Sequence, residues 1–339
     1  MSKTANVVFL IDLQNGFARS DLTEQEGGSL YVPGGEEAGK PAANLIRHLS
    51  NSIVVLSQDF HPADHISFAA NHADVQPFSN VYLRPGHNGI YRVVGAEAGG
   101  RVMDVDTDAR GYITGARKEE LLPAAWQGAL KQTLWLRHCV QGTESAAFVD
   151  PIMAELPASV VGQLQAPGAQ PVLSGDDARG NQFHVVRKGM RPDLDSYGIA
   201  TENDGKSKTA APALFERMAA QLDADGIGRI LVGIGGLATN FCVEFSHADL
   251  YRELVPALKA RGIESEIQIL TDISHGIPAV APDKSWPDLG AALDRMVSLG
   301  SRARATEEFL RGGGGESQYG RIARGAETKR ASSQTPRLI

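Results

Sequence analysis

Five short apolar runs, each ending at a polar or reactive side chain, set the strongest limit on what this chain can fold into. Residues 7–12, 53–59, 184–188, 229–234 and 266–272 are rich in Val, Ile and Leu, as expected for strands buried in a parallel sheet. Between them lie helical patterns, at 36–50 (Ala42, Leu45, Ile46 and Leu49 on one face), 212–222, 242–254 and 289–296. A sixth, edge strand is expected at 296–299. Strands alternating with helices predict an α/β fold: a Rossmann-like, open, mostly parallel sheet with helices on both faces.

Such sheets bind ligands beyond the carboxyl ends of their strands. Asp12, Asp59 and Lys188 close the first three runs, and Cys242 follows the fourth within Gly233-Ile-Gly-Gly-Leu-Ala-Thr-Asn-Phe-Cys-Val243. A cysteine in the first turn of a helix faces unpaired N–H groups and the positive end of the helix dipole, which favour thiolate. The glycines let the backbone turn tightly enough to offer N–H groups to a substrate oxygen. Read separately, Asp12 could cap a helix, Lys188 could be a solvated strand end and Cys242 a small core residue. Read together on one rim, they imply nucleophilic acyl transfer. Cys242 attacks a carbonyl, Asp12 takes the thiol proton and hands it to the leaving amine, and Lys188 steadies both anions. The N–H groups of Ala238 and Cys242 are the candidate oxyanion hole.

Asp59, His61 and His65 lie within seven residues where the second strand ends. Carboxylate oxygen with imidazole nitrogen suits zinc, iron(II) or manganese. His138 follows Trp135 further on. A dinucleotide loop at 233–236 is excluded, since no acid stands where a ribose would need it.

The chain has 339 residues and a net charge of −7, which argues against nucleic-acid partners. Two cysteines, no leader pattern and no long apolar span point to a reducing cytoplasm and no membrane partner. One domain, 1–300, is expected, interrupted at about 76–133 and 157–180 where periodicity fails. The first insertion is read as a small β-containing flap, with hairpin strands near 89–94 and 111–114. Residues 301–339, rich in Gly, Ser and Arg, are read as a flexible C-terminal tail.

These motifs resemble nicotinamidases of the isochorismatase-like cysteine hydrolase superfamily. The matching segments are Asp12-Leu-Gln-Asn-Gly-Phe17, Asp59-Phe-His-Pro-Ala-Asp-His-Ile-Ser-Phe-Ala-Ala-Asn-His72, Trp135-Leu-Arg-His-Cys-Val140, Lys188-Gly with Asp195-Ser-Tyr197, and Gly236-Leu-Ala-Thr-Asn-Phe-Cys242. The resemblance covers residues 5–300 in order. It implies the isochorismatase-like hydrolase fold, a catalytic triad of Asp12, Lys188 and Cys242, and a cis peptide at Leu237–Ala238. It also implies one divalent metal ion, zinc before iron or manganese, on Asp59, His61, His65 and His138. Phe17, Trp135, Tyr197 and Leu237 would contact the substrate, a small-molecule amide. The implied reaction is hydrolysis of nicotinamide to nicotinate and ammonia through a cysteine thioester, as part of NAD salvage. Hydrolysis of another small amide and a non-catalytic interaction role are the alternatives. A homo-oligomer is left open. Three positions depart from the pattern: Gly16 stands for an acid, Leu136 for a proline and Asn240 for an aspartate. His72, past the ligands, is read as structural, His247 as packing within the helix after Cys242, and Cys139 as a small buried residue.

Overall fold

A computed structural model describes residues 3–166, 168–278 and 288–312. The strands in chain order are β1 (Lys3–Ile11), β2 (Ile53–Asp59), β3 (Asn80–Pro85), β4 (Tyr91–Ala98), β5 (Arg101–Thr107) and β6 (Ile113–Glu120). They continue with β7 (Leu130–Thr133), β8 (Val172–Asp176), β9 (Gln182–Lys188), β10 (Ile227–Gly236), β11 (Glu264–Leu270) and β12 (Arg302–Arg304).

The main sheet runs β12-β11-β10-β1-β2-β9-β8, parallel throughout except that β8 pairs antiparallel with β9. Without β8 this is the doubly wound order, and its switch point lies between β1 and β10. Successive residues of β1 serve opposite layers. Val8 and Leu10 pack with Ala38, Ala42, Leu45 and Ile46 of the helix Gly35–His48. Val7, Phe9 and Ile11 pack with Leu214, Phe215 and Met218 of the helix Ala211–Ala224. Phe9 and Phe215 meet edge to face at 5.7 Å. Together the two layers bury Val7 to Ile11 of β1 completely, which is why that stretch shows no polar alternation.

The first insertion forms a separate antiparallel sheet, β6-β5-β4-β3-β7. Its core of Val81, Leu83, Val93, Ala96 and Ile113 is continuous with Ile66, Ala69 and Leu134 of the main domain. His72 joins the two as expected of a structural residue: Nδ1 accepts from Ile113 N, and Nε2 donates to Ile66 O. The two hairpin strands foreseen there extend to 91–98 and 113–120. The second insertion contributes the helix Ala158–Gln165 and the edge strand β8.

Two expectations need correction. Residues 296–299 are not the edge strand: they are the last turn of the helix Leu289–Ser298 and its cap at Leu299, and Met296 packs inward. The edge strand is β12, six residues later, so the chain from 301 to 312 is not tail. β12 pairs with β11, and the helix Thr306–Gly312 follows. Asp272 accepts from Thr306 N at 2.9 Å and Thr306 Oγ1 at 2.6 Å, and Phe309 is wholly buried. A three-residue strand and one inward ring leave too little periodicity to be seen in sequence. The tail expected at 313–339 lies outside the described residues. Among the described residues, no helix is long and apolar enough to cross a membrane.

Candidate active site

β1 ends at Ile11, and Asp12 turns off the sheet with φ 48°, a left-handed conformation that Asp tolerates better than most residues. Ser57 of β2 fixes it: Ser57 Oγ donates to Asp12 Oδ1 at 2.6 Å and accepts from Asp12 N at 3.1 Å. In the neighbouring pair, β9 places Lys188 directly opposite Asp59. Lys188 Nζ, fully buried, lies 2.9 Å from Asp12 Oδ2 and 2.7 Å from Asp59 Oδ1. It also donates to Ser196 O at 3.0 Å and to Cys242 Sγ at 3.5 Å.

Cys242 arrives from the other side of the switch point. β10 ends at Gly236, with φ 140°, where a Cβ would collide with the Ile11 carbonyl, so only glycine fits. The Leu237–Ala238 peptide is cis, as the resemblance implied, and Thr239–Val243 forms a π-helical turn carrying the thiol. Asp12, Asp59 and Cys242 each present a polar atom within 4.8 Å of the others.

Burial is the largest influence on every group here, and the balance differs from one to the next. Burial strongly opposes the Lys188 charge, but Asp12, Asp59 and Cys242 outweigh it and hold the ammonium well above its usual range. Burial raises Asp12, and Lys188 only partly offsets this. For Asp59, burial is overcome by Lys188 and His61, and its carboxyl falls well below the usual range. Cys242 corrects the thiolate expectation. Burial pushes the thiol well up, Lys188 opposes it, and Asp12 and Asp59 push it up further. This balance favours the thiol, and a base would be needed to take its proton.

Next to this trio the imidazoles gather. Asp59 Oδ2 faces His61 Nε2 at 3.3 Å and His138 Nε2 at 3.8 Å. His61 Nδ1 is bonded to Gly189 O and His138 Nδ1 to Leu136 O. A carbonyl can only accept, so each Nδ1 carries a hydrogen, and each Nε2 is aimed at Asp59, whose carboxylate works against burial to raise the His61 pKa. A proton on Nε2 or a divalent cation between these donors would each meet the charge of Asp59 at such distances. His65 Nε2 is buried without a hydrogen-bond partner, while its Nδ1 is held by Ser67 Oγ at 2.7 Å. Burial, then His61, depress its pKa well below normal, so it is neutral, as a ligand must be. Three of the four expected ligands, Asp59, His61 and His138, converge within 4.8 Å; His65 instead groups with His61 and Asp195. Gly189 makes room for this cluster, since a Cβ there would strike the His61 ring.

A narrow cavity joins the two halves, lined by Phe17, Leu30, Asp59, Trp135, His138, Asp195, Tyr197, Ala238, Phe241, Cys242 and Ile277. Phe17, Trp135 and Tyr197 thus stand where expected. Leu237 does not line it; a Cβ on Gly35 would meet the Leu237 side chain, which packs inward against the helix Gly35–His48. Phe241 was missed: the π-helical turn puts it on the cavity wall, edge to face with Trp135 at 5.3 Å and with Tyr197 at 5.8 Å. A regular helical count from Cys242 gives no such signal. Asp195 was visible only as part of a motif. Two departures from the family pattern now have structural settings. A side chain at 16 would run into Ser145 and Cys139, so the acid has no room. Asn240 clamps the chain at Ile277, donating to its carbonyl at 2.9 Å and accepting from its N–H at 3.0 Å. Cys139 is fully buried, as expected.

No family model matches the chain. Among curated proteins, it is 27% identical to the nicotinamidase of Acinetobacter baylyi over 274 residues, 78% of this chain and 87% of that one. It is 25% identical to the nicotinamidase of Escherichia coli over 296 residues, 86% and 94% of the two chains. Among solved structures, a nicotinamidase/pyrazinamidase of Acinetobacter baumanii superposes with a TM-score of 0.50 at 25% identity, covering 91% of this chain and 98% of that one. The yeast nicotinamidase bound to nicotinaldehyde shares the fold, with a TM-score of 0.51 at 20% identity, over 88% and 99% of the two chains. Over most of its length the chain is thus similar to relatives that share the name nicotinamidase, on a fold whose rim carries the motifs that resemble that family.

Proposed function

We propose that the chain hydrolyses nicotinamide to nicotinate and ammonia, with Cys242 as nucleophile, Asp12 as general base and acid, and Lys188 as their shared counter-ion. One observation carries the reading: a fully buried ammonium 2.9 Å from the Asp12 carboxylate and 3.5 Å from the Cys242 sulfur, at the switch point of the sheet. Sγ adds to the amide carbon as its proton passes to Asp12, whose raised pKa suits it to accept. The oxyanion is received by the N–H groups of Ala238 and Cys242. Collapse breaks the C–N bond, Asp12 returns the proton, and ammonia leaves a thioester. Water then attacks the thioester carbon, giving a proton to Asp12, and the C–S bond breaks as Cys242 recovers its thiol and releases nicotinate. Lys188 stays charged throughout, offsetting the negative charge as it moves between sulfur and carboxylate. The pyridine ring lies against Phe17, Trp135, Tyr197 and Phe241, four aromatic side chains that exclude water and fix its plane.

Asp59, His61 and His138, with His65 beside them, would hold the metal, and their nitrogen and oxygen donors fit zinc first, then iron or manganese. When bound, a divalent cation there supplies a Lewis acid next to the cavity. Ammonia release from nicotinamide, with and without prior chelation, tests the reading. Turnover should be abolished in Cys242→Ala, falling by about 10⁴ or more. A chain that releases ammonia from aliphatic amides but leaves nicotinamide intact would move the assignment to another small amide.

A further inference from the structure

Gln132 carries the flap to the back of two residues that line the substrate cavity. Gln132 lies on β7, the last strand of the inserted sheet, and is completely buried. Its Nε2 shares two hydrogens among three acceptors, Thr133 O at 2.7 Å, Asp195 Oδ2 at 3.1 Å and Tyr197 OH at 3.3 Å. Its Oε1 accepts from Asn203 Nδ2 at 3.3 Å. Asn203 closes the loop, its Oδ1 accepting from Tyr197 N at 2.9 Å and its own N donating to Asp195 O at 2.9 Å. Both Asp195 and Tyr197 line the cavity.

The phenol oxygen of Tyr197 is therefore committed. It accepts from Gln132 Nε2 and from Trp135 Nε1, the latter at 3.2 Å. With the Trp135 N–H on one lone pair and the shared Gln132 amide facing the other, the hydroxyl turns its own hydrogen away from both. Burial holds its pKa well above normal, so that hydrogen stays in place. A side chain from the insertion thus sets the direction of a hydroxyl on the wall of the main-domain site. The flap is also anchored independently of Gln132: Tyr91 N donates to Asp193 Oδ2 at 2.9 Å, and Tyr91 OH donates to Asp204 Oδ2 at 3.2 Å. These bonds make the inserted sheet a fixed wall rather than a hinged cover.

We propose that Gln132 is a positioning residue for the amide substrate: from the inserted sheet it orients Tyr197 and Asp195, and through them it sets how well the aromatic ring is held. The proposal deepens the nicotinamidase reading and rests on it. Gln132→Met, close in volume and unable to donate, should raise KM for nicotinamide roughly fivefold to tenfold while kcat changes less than twofold, since it loosens Tyr197 and Asp195 but touches no reacting atom. Tyr197→Phe removes the other end of that bond and should raise KM similarly. In the double variant the two effects should not multiply, because each acts through the same bond. If Gln132→Met does not fold, as judged by circular dichroism and its melting temperature, Tyr197→Phe with nicotinamide and an aliphatic amide carries the test: KM should rise for the aromatic amide alone. Effects that multiply, or a KM that stays at the wild-type value in either single variant, would overturn the proposal. Absence of ammonia release by the wild-type chain would instead overturn the nicotinamidase reading.

Discussion

The rim of the parallel sheet and the inserted antiparallel sheet use the same charged residue types in opposite ways. At the rim, Lys188, Asp12 and Asp59 are all buried, and the Lys188 ammonium lies within 3 Å of both carboxylates. In the flap, Arg117 pairs with Asp104 and Asp106, and Arg101 with Glu120, on surfaces left about one-third to two-thirds exposed. Water screens the second set and is excluded from the first. The difference teaches that an ion pair is informative about function by its burial, not by its distance. Breaking a rim pair strands a charge, whereas breaking a flap pair lets water take the partner's place.

That contrast can be broken or sharpened in three ways, taken from the largest effect to the smallest. Lys188→Met leaves two buried carboxylates facing each other. Urea denaturation should show a loss of about 3–5 kcal/mol, together with loss of nicotinamide turnover; a loss below about 1 kcal/mol would mean the rim behaves like the surface.

His247 offers an intermediate case, buried but uncharged. Burial depresses its pKa from 6.5 to about 4, while Nε2 meets Ser301 Oγ at 2.7 Å and Nδ1 has no partner. The unfolded chain takes up this proton near pH 6.5 and the folded chain only near pH 4, so folding is favoured above 6.5 and weakens as pH falls between those values. The contribution is on the order of 3 kcal/mol. Melting curves of wild type and His247→Asn between pH 7 and pH 4 should show a shallower acid decline in the variant. Parallel declines would exclude this group as the cause.

The smallest effect belongs to the flap. Arg117→Ala should change stability by less than about 1 kcal/mol and leave kcat/KM untouched. A loss comparable to that of Lys188→Met would erase the distinction between the two regions.

The same division explains what could be read from the chain alone. The C-terminal halves of β1, β2, β9, β10 and β11 are buried on both faces, so apolar residues cluster there and the strand ends stand out. Asp12, Asp59, Lys188 and Cys242 were legible for that reason. The flap strands are short and half exposed, and only fragments of β4 and β6 could be seen. Phe241 was hidden because a π-helical turn shifts side chains off the ordinary helical count. The thiolate expectation for Cys242 failed on a quantity that sequence does not carry. A dipole argument counts the helix terminus, but the two carboxylates and the complete burial appear only once four strand ends are brought together. Gln132 gave no signal at all, since its partners Asp195 and Tyr197 lie more than sixty residues away.

Phe309 lies against Gly233, where an added Cβ would come within 3.2 Å of its ring. The last described helix therefore fills a notch that β10 leaves open on the strand leading to the nucleophile. A chain shortened at Gly300, where sequence alone would draw the domain boundary, would lose both that plug and the partner of β11. Its exposed strand edge would invite self-association. Any trimming for crystallisation, or any fusion joint, belongs beyond Gly312.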